Sequence, residues 1–401
     1  MGYEVKDVFK PGSFPNLTYV SRESGWEDMT YDDRLQQALE MTGFLTYIVG
    51  SSKVGKTILC KKVVSNGLVS VSGADFKQGE DIWPVIARHA GMPVEGGFIS
   101  TESGDGQAQL TRINKYQGNK DEVISYFNSK KKTLLIDDFH YASEETQTVI
   151  AQQLKYAIGK DFSAIIISLP HRADEAIRRN PDLSGRIAQI ELEPWKDEDL
   201  KSIASTGFDK LKIQYSPEIL DYIAKESLAS PQLMQLICLN IGLVLQKKGS
   251  LEGKTLTEEI CRTAFRRTTS NFEYREIARL LRRGPNSRGT KRKKFMTGRG
   301  IQKDIYQLIL DAMKKDPPVT AVHIEDLRNR IISGFSADEK QKLNLGMITK
   351  ALRILIKMMN EKENDLFKVF DLRDDMVHIL DPQFLFCTKP LRGSSLIYSS
   401  H

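Results

Sequence analysis

The chain has 401 residues, 27% charged and 40% hydrophobic, with a net charge of +6 at pH 7, which suits a globular protein of two or three domains. No apolar run approaches the roughly 20 residues of a membrane span, and the acidic, proline-containing N-terminus is unlike a signal peptide. The four cysteines are scattered without matched histidines, which argues against a zinc site or a disulfide scaffold and favours a reducing cytoplasm.

A phosphate-binding loop is the first motif along the chain. The apolar run 47–49 leads into the pattern G-x-x-x-x-G-K-[ST], and a helix-compatible segment follows at 58–64. The loop consists of Gly50, Ser51, Ser52, Lys53, Val54, Gly55, Lys56 and Thr57. Its N–H groups and the helix N-terminus would bind the phosphates of ATP. Lys56 would also act in catalysis at the β- and γ-phosphates, and Thr57 would bind Mg²⁺. The alternative, a glycine-rich turn without a ligand, would be excluded by a matching acidic strand.

The segment 96–107 is small and polar, and we predict a mobile loop there. It lies between the helix that follows the second strand and the acidic strand described next. An insertion that senses a partner is the alternative, although nothing in the composition requires it.

An apolar strand at 133–136 ends in two carboxylates, Asp137 and Asp138. Because ligands bind at the C-terminal ends of parallel strands, we expect both carboxylates beside the P-loop. Asp137 would orient the Mg²⁺ shell, and Asp138 would accept a proton from the attacking water. Glu fills that role more often and is longer, so hydrolysis is expected to be slow, or the site chiefly binds and switches. Surface hydrogen bonding by two acids is the alternative.

Two arginines lie beside later strands. Arg172 follows the apolar strand 164–169 and could contact the γ-phosphate. Arg186 precedes the strand 187–192 and could reach a nucleotide in a neighbouring subunit, because a planar guanidinium suits the phosphate charge that develops in a transition state. The alternative for each is a surface or ion-pair residue.

Beyond Trp195 the apolar residues recur at helical spacing. We predict a small helical domain that closes over the nucleotide as a lid. Its helices are predicted at 197–211, 217–226, 231–247 and 256–268.

The segment 281–302 has the sharpest change of composition in the chain, with eight basic residues and no acidic one. Without these residues the chain would carry a net negative charge. Such a segment could neutralise several phosphates of DNA, with salt-dependent affinity. The alternative is a solvated, flexible linker, or one that docks on an acidic subunit surface. The residues are Arg282, Arg283, Arg288, Lys291, Arg292, Lys293, Lys294 and Arg299.

The C-terminal part predicts a winged helix-turn-helix, with three helices at 305–313, 320–331 and 345–362 and two short strands at 367–370 and 376–380. In the third helix, Lys350, Arg353 and Lys357 share the face opposite the apolar residues, as a recognition helix would present them to phosphates. The wing tip, however, carries three aspartates that a DNA backbone would repel. This favours a protein-binding role, with DNA contact as the alternative.

Two further segments complete a resemblance to AAA+ and STAND ATPases. The segment 19–23 resembles the one that opens many of these proteins, in which the backbone at Val20 and Arg22 would lie along adenine. The segment 229–233, with Pro231, resembles the G-x-P segment of their helical lid, although Ser230 replaces the glycine. Pro231 could equally be the first residue of the next helix. The segment 381–386 is similar to the end of winged-helix domains in bacterial STAND-like ATPases.

This resemblance implies an α/β fold, a P-loop NTPase parallel sheet with a helical lid, followed by a winged helix-turn-helix domain. It implies an ATP- and Mg²⁺-dependent switch that forms homo-oligomers and controls a protein effector or regulatory partner, with a role in bacterial antiviral defence. A DNA-binding ATPase, such as an origin-binding initiator or transposition regulator, is one alternative, and a nucleotide-binding scaffold with negligible hydrolysis is the other. The predicted domains are a P-loop domain at 1–195, a lid at 196–275, a basic flexible linker at 276–302, a winged helix at 303–390 and a disordered tail at 391–401.

Overall fold

The computed structural model describes residues 2–92, 118–169, 177, 180, 183–247, 249–270, 274–285, 292–315, 321–360 and 369–388, and the backbone of 95–102 and 108–115. The chain divides into two compact units, which we call the sheet unit, residues 21–193, and the helical unit, residues 1–20 and 194–401. Among the described residues, no helix is both long enough and apolar enough to span a membrane.

The strands are β1 Glu23–Trp26, β2 Met29–Thr30, β3 Leu45–Gly50, β4 Leu68–Ser72, β5 Glu95–Glu102, β6 Ala108–Lys115, β7 Thr133–Asp137, β8 Ser163–Ser168, β9 Ile187–Leu192, β10 Lys294–Met296, β11 Gln302–Asp304, β12 Ala321–His323, β13 Phe370–Arg373 and β14 Met376–Ile379. The helices are α1 Val5–Val8, α2 Tyr31–Glu40, α3 Lys56–Val63, α4 Ile82–His89, α5 Lys120–Ser129, α6 Glu144–Ile158, α7 Asp197–Lys210, α8 Pro217–Glu226, α9 Pro231–Gln246, α10 Glu258–Ser270, α11 Tyr274–Arg283, α12 Ile305–Lys314, α13 Ile324–Ile332, α14 Ala337–Gln341, α15 Leu345–Asn360 and α16 Pro382–Thr388.

The sheet unit is built on five parallel strands in the order β4-β7-β8-β3-β9. Apolar runs form the central strands, and Leu134, Leu135 and Ile136 of β7 are fully buried, as expected for a sheet covered on both faces. Because the strands are parallel, β3, β7 and β8 all end at one edge. The predicted P-loop NTPase sheet is therefore confirmed.

An antiparallel hairpin, β5–β6, lies between α4 and α5. Its register runs from Glu95 opposite Lys115 to Glu102 opposite Ala108. The predicted loop is therefore wrong for residues 96–102, which form a strand, while 103–107 lie outside the described residues. Composition misled the prediction because the hydrogen bonds that define this strand come from a partner several residues further along the chain.

In the helical unit, the N-terminal segment packs on the helices of the predicted lid. Side chains at Gly207 and Gly242 would clash with Phe9 and Val5, so these glycines allow the segment to lie close against α7 and α9. The backbone N–H of Lys10 also donates to Gln235 Oε1 (3.0 Å). Residues 1–20 thus fold with the helical unit, whereas the sequence prediction placed them in the P-loop domain.

The C-terminal part has the element order of a winged helix: α12, β12, α13, α15 and the hairpin β13–β14, with α14 between α13 and α15. Its three strands pair antiparallel in the order β12-β14-β13. One apolar core continues from the preceding helices into this part, where the rings of Phe265 and Phe386 meet edge to face (5.8 Å).

The predicted flexible linker 276–302 is largely folded where the structure describes it. The helix α11 extends to Arg283, and β10 pairs with β11. Residues 286–291, with Arg288 and Lys291, lie outside the described residues, as does the predicted tail at 391–401.

Candidate nucleotide-binding site

The P-loop connects β3 to α3 through a backbone path that needs its two motif glycines. A Cβ at Gly50 would lie 2.9 Å from the carbonyl oxygen of Leu192 on β9, which is closer than real Cβ atoms come to other atoms. Gly55 has φ 102°, and Lys53 is also left-handed with φ 62°. The glycine pattern is therefore needed for the curl of the loop as well as for access of a phosphate.

Lys56 begins α3 and is buried, with only 8% of its surface exposed. Its ammonium donates to the carbonyl oxygens of Gly50 (2.8 Å) and Ser51 (2.7 Å). Burial lowers the pKa of Lys56 to about 8, while the charges of Asp137 and Asp138 act in the opposite direction. The amine is therefore mostly protonated at neutral pH. A phosphate in the loop could replace the two carbonyls as its acceptor.

Thr57, in the first turn of α3, contacts Asp137, the last residue of β7. The Thr57 hydroxyl donates to Asp137 Oδ2 at 2.6 Å, although the two residues lie 80 positions apart. A hydroxyl and a carboxylate are hard oxygen ligands, and Mg²⁺ commonly takes one or two of these together with substrate phosphates and water. The pair therefore fits the Mg²⁺ of a bound nucleotide.

Asp138 is held in a strained backbone conformation directly after β7. Its φ is 51°, and its N–H donates to Asp137 Oδ1 at 2.9 Å. The residue is exposed, yet desolvation of its carboxylate, followed by the nearby charge of Asp137, raises its pKa, and Lys56 opposes this shift. A carboxylate with a raised pKa is a better proton acceptor, as a general base requires.

Gly73, in the short 3₁₀ turn after β4, lies against the backbone of Asp138. A Cβ at Gly73 would clash with the carbonyl oxygen of Asp138 and lie 2.9 Å from the Cα of Phe139. Both contacts are with backbone, which cannot move aside cheaply. This glycine therefore fixes the position of the candidate base, and nothing in the local sequence reveals it.

Gly73→Ala is expected to lower the free energy of unfolding by about 1–3 kcal/mol, the usual cost of overpacking, and to slow ATP turnover by displacing Asp138. Thermal melting and phosphate release would measure the two effects. Gly12→Ala is the control, because an added Cβ at Gly12 meets nothing within 4 Å. Unchanged melting and unchanged turnover in Gly73→Ala would contradict the positioning role.

Ser168 is a candidate that sequence reasoning missed. It ends β8, the strand between β3 and β7, and it pairs with Val49 directly before the P-loop. Its hydroxyl is buried and has no hydrogen-bond partner among the described residues. Such a group commonly serves a ligand or an ordered water, and at this strand end it could bond to the γ-phosphate or the attacking water. The sequence does contain one signal for this residue, because a polar side chain ends an otherwise apolar strand.

The structure describes only one of the two arginines predicted to act at the nucleotide. Arg172 lies outside the described residues. Arg186 is exposed directly before β9 and follows Gly185, whose φ is 73°. Its carbonyl oxygen accepts a hydrogen bond from the N–H of Leu45 (2.8 Å), which anchors the backbone there to the P-loop strand.

The residues predicted near adenine are placed as follows. The Arg22 side chain is buried in the sheet unit, where Nη1 donates to the carbonyl oxygen of Glu193 (3.1 Å) and Cζ lies 4.9 Å from the ring centre of Tyr31. Its side chain is thus used structurally, and its carbonyl oxygen accepts a hydrogen bond from the N–H of Tyr31 (2.9 Å). Val20 and Pro231 belong to the helical unit. Pro231 is the first residue of α9, and Ser230 caps that helix.

Comparison with known proteins gives one family match. A family model described as "Bacterial TniB protein" matches residues 33–197, which is less than half of the chain. No curated protein matches the sequence.

Several solved structures are similar over most of the chain. Cdc6p from Pyrobaculum aerophilum is 12% identical, with 96% of this chain and 97% of that chain covered and a TM-score of 0.46. A Walker-type ATPase of Pyrococcus abyssi is 13% identical, with 92% and 99% covered and a TM-score of 0.49. The Aeropyrum pernix ORC1 protein, solved in complex with DNA, is 10% identical, with 95% and 94% covered and a TM-score of 0.46.

The sheet order, the P-loop and the Thr57–Asp137 pair together identify a P-loop NTPase fold. The P-loop lies within the matched residues, as do both aspartates and Arg186. The predicted P-loop NTPase fold is therefore confirmed, while the ATPase activity stays a prediction.

Proposed function

We propose that the protein binds ATP with Mg²⁺ and hydrolyses it, and that the bound nucleotide controls assembly with other copies of the chain. The observation that carries this proposal is the hydrogen bond between Thr57 and Asp137 beside the ammonium of Lys56. This arrangement brings a cation and two oxygen ligands to the loop that would hold the phosphates. A ligand-free glycine-rich turn would not need it.

The chemistry follows from the charges at this edge of the sheet. Mg²⁺ held by Thr57 and Asp137 would offset the charge of the β- and γ-phosphates. Lys56 would stabilise the negative charge on the γ-phosphate as its bond to the leaving group breaks. Asp138 would take the proton of the attacking water, and Ser168 would orient that water or the γ-phosphate.

Control of assembly is proposed through Arg186. Its side chain is exposed at the edge of the sheet unit, while its backbone is fixed by the Leu45 hydrogen bond. An exposed guanidinium on a fixed backbone could reach the γ-phosphate of a neighbouring copy at a small entropic cost. Assembly would then depend on whether the nucleotide still carries that phosphate.

Size-exclusion chromatography with light scattering tests this proposal. A slowly hydrolysed ATP analogue should produce larger assemblies than ADP, and Arg186→Ala should remove the difference while nucleotide binding remains. Arg88→Ala, which replaces an exposed arginine of the same unit, is the matched control. Equal mass in both nucleotides for the wild-type protein would contradict control of assembly by ATP.

DNA binding is the second candidate function, and the exposed face of α15 favours it. Lys350, Arg353 and Lys357 are all exposed, while the apolar residues of the same helix are buried. The wing tip stays acidic, with Asp374 and Asp375 exposed, so contact would come from the helix rather than from the tip. Assembly that requires DNA in the light-scattering experiment would favour this function. Assembly that needs only ATP would favour the switch.

The finer identity of the switch rests on the sequence resemblance. A STAND-type regulator with a protein effector, and a role in antiviral defence, are what that resemblance implies. Measuring ATP turnover of the wild-type protein distinguishes the switch from a scaffold with negligible hydrolysis, because a scaffold would show no turnover.

A further inference from the structure

Four charged residues meet where α11, β11 and α12 pack together in the helical unit. Arg282 Nη2 lies 2.5 Å from Asp311 Oδ1, and Lys303 Nζ lies 2.7 Å from Asp311 Oδ2. Both oxygens of this carboxylate therefore already have a cation. Lys314, one turn further along α12, is a third cation whose pKa responds to the charges of all three neighbours. We call Arg282, Lys303, Asp311 and Lys314 the α12 cluster.

The α12 cluster has more positive charge than its carboxylate can balance. Lys314 is 6% exposed, and no described residue accepts a hydrogen bond from its ammonium. Burial lowers the pKa of Lys314 to about 8, with Arg282 and Lys303 adding to the shift and Asp311 opposing it. The lysine is therefore mostly charged at neutral pH. Three cations then surround one anion.

A buried ammonium beside two further cations is unfavourable unless an anion joins it. Ordinary surface lysines avoid this cost by extending into water; most of the Lys314 side chain is desolvated instead, although its ammonium is not among the fully enclosed polar atoms that lack a partner. Arg282, Asp311 and Lys303 each remain about one-third exposed, so the cluster opens to solvent on one side. An anion can therefore reach it.

We propose that the α12 cluster binds a phosphate group of a nucleic-acid backbone. This inference rests on the second candidate function. A phosphate presents several acceptor oxygens, which would match the ammonium of Lys314 and the outer N–H groups of Arg282 and Lys303.

The hairpin β10–β11, which supplies Lys303, indicates that the phosphate belongs to a chain of phosphates. Lys294 lies opposite Asp304 in its register, and Lys293, Lys294 and Arg299 are exposed along it. Cations spaced along one hairpin suit the repeated charges of a nucleic-acid backbone better than a single small anion. Arg292, in contrast, pairs internally with Asp304 (3.0 Å). The basic segment is thus divided between internal ion pairs and exposed cations.

The experiment measures binding of a mixed-sequence DNA duplex by fluorescence anisotropy over a range of salt concentrations. Lys314→Met nearly keeps the length of the side chain and removes its charge, and Lys303→Gln removes the charge on the exposed side of the cluster while keeping a polar side chain. Each variant should bind DNA roughly 5- to 20-fold more weakly and should reduce the slope of log K against log salt by about 1. Lys225→Met, which removes an exposed lysine of α8, is the control and should change neither quantity by as much.

The outcomes separate the inference from the function on which it rests. Wild-type protein that fails to bind DNA at low salt would overturn both. DNA binding that survives in Lys314→Met and Lys303→Gln, but is lost in a Lys350→Gln, Arg353→Gln variant, would overturn the α12 cluster alone. Calorimetry with inorganic phosphate tests whether the α12 cluster binds a free anion instead. If free phosphate binds tightly while neither variant changes DNA binding, the assignment of the cluster to a nucleic-acid phosphate would also be overturned. Retained ATP binding and thermal melting show that Lys314→Met is folded, and Lys303→Gln decides the question if it is not.

Discussion

Replacing Asp138 with asparagine is expected to reduce ATP turnover by roughly 100- to 10,000-fold, the range for loss of a general base, while ATP still binds. Asparagine keeps the shape of the side chain and tolerates the left-handed backbone of residue 138, but its amide cannot take up a proton at neutral pH. Phosphate release at saturating ATP and Mg²⁺ measures turnover, and a fluorescent nucleotide measures binding.

Asp161→Asn provides a matched control for this prediction. Asp161 is also exposed and left-handed, with φ 60°, but it lies in the turn between α6 and β8. It should turn over ATP like the wild-type protein. If Asp138→Asn also did so, the base would have to be another residue, and the assignment from the raised pKa and the strand-end position would fail.

Replacing Lys56 with alanine is expected to weaken ATP binding by roughly 10- to 150-fold, because a hydrogen bond to a charged group contributes about 1.5–3 kcal/mol. Assembly in the ATP analogue should be lost as a consequence. The wild-type protein should also bind ATP more weakly as the pH rises above about 8, where Lys56 loses its proton. Equilibrium titration at several pH values would measure both effects.

Lys61→Ala is the control for Lys56, since Lys61 is an exposed lysine of the same helix. It should bind ATP like the wild-type protein and retain the same pH dependence. Equal affinity of Lys56→Ala and Lys61→Ala would show that the phosphates lie elsewhere. In Lys56→Ala, any remaining affinity should no longer fall near pH 8.

Local patterns were sufficient to predict which short segments come together at the candidate site. The glycines, Lys56 and Thr57 lie in one motif, and the apolar run before Asp137 marks a buried parallel strand. The structure brings Thr57 and Asp137 together at 2.6 Å. The winged-helix order could likewise be inferred, because each of its helices has an apolar face of its own.

Features that depend on distant partners could not be predicted in the same way. Gly73 reads as an ordinary turn residue until the Asp138 backbone is seen against it. The hairpin β5–β6 forms through pairing between two segments that look polar and irregular when each is taken alone. Arg292 counted as a free cation of a linker, whereas its charge is balanced by Asp304 twelve residues later. Composition describes each residue alone, whereas its structural role depends on the distant residue that it contacts in the fold.

The position of residues 1–20 makes the sheet unit an insertion within the helical unit. The chain begins in the helical unit, leaves it for the sheet unit at residue 21, and returns at residue 194. The two ends of the inserted part are neighbours, because Arg22 Nη1 bonds to the carbonyl oxygen of Glu193 and Tyr31 Oη accepts from the N–H of Glu193. Adjacent ends are what allow one domain to be inserted into another without distorting either. A truncation that removes only the first residues is therefore expected to destabilise the helical unit rather than the sheet unit.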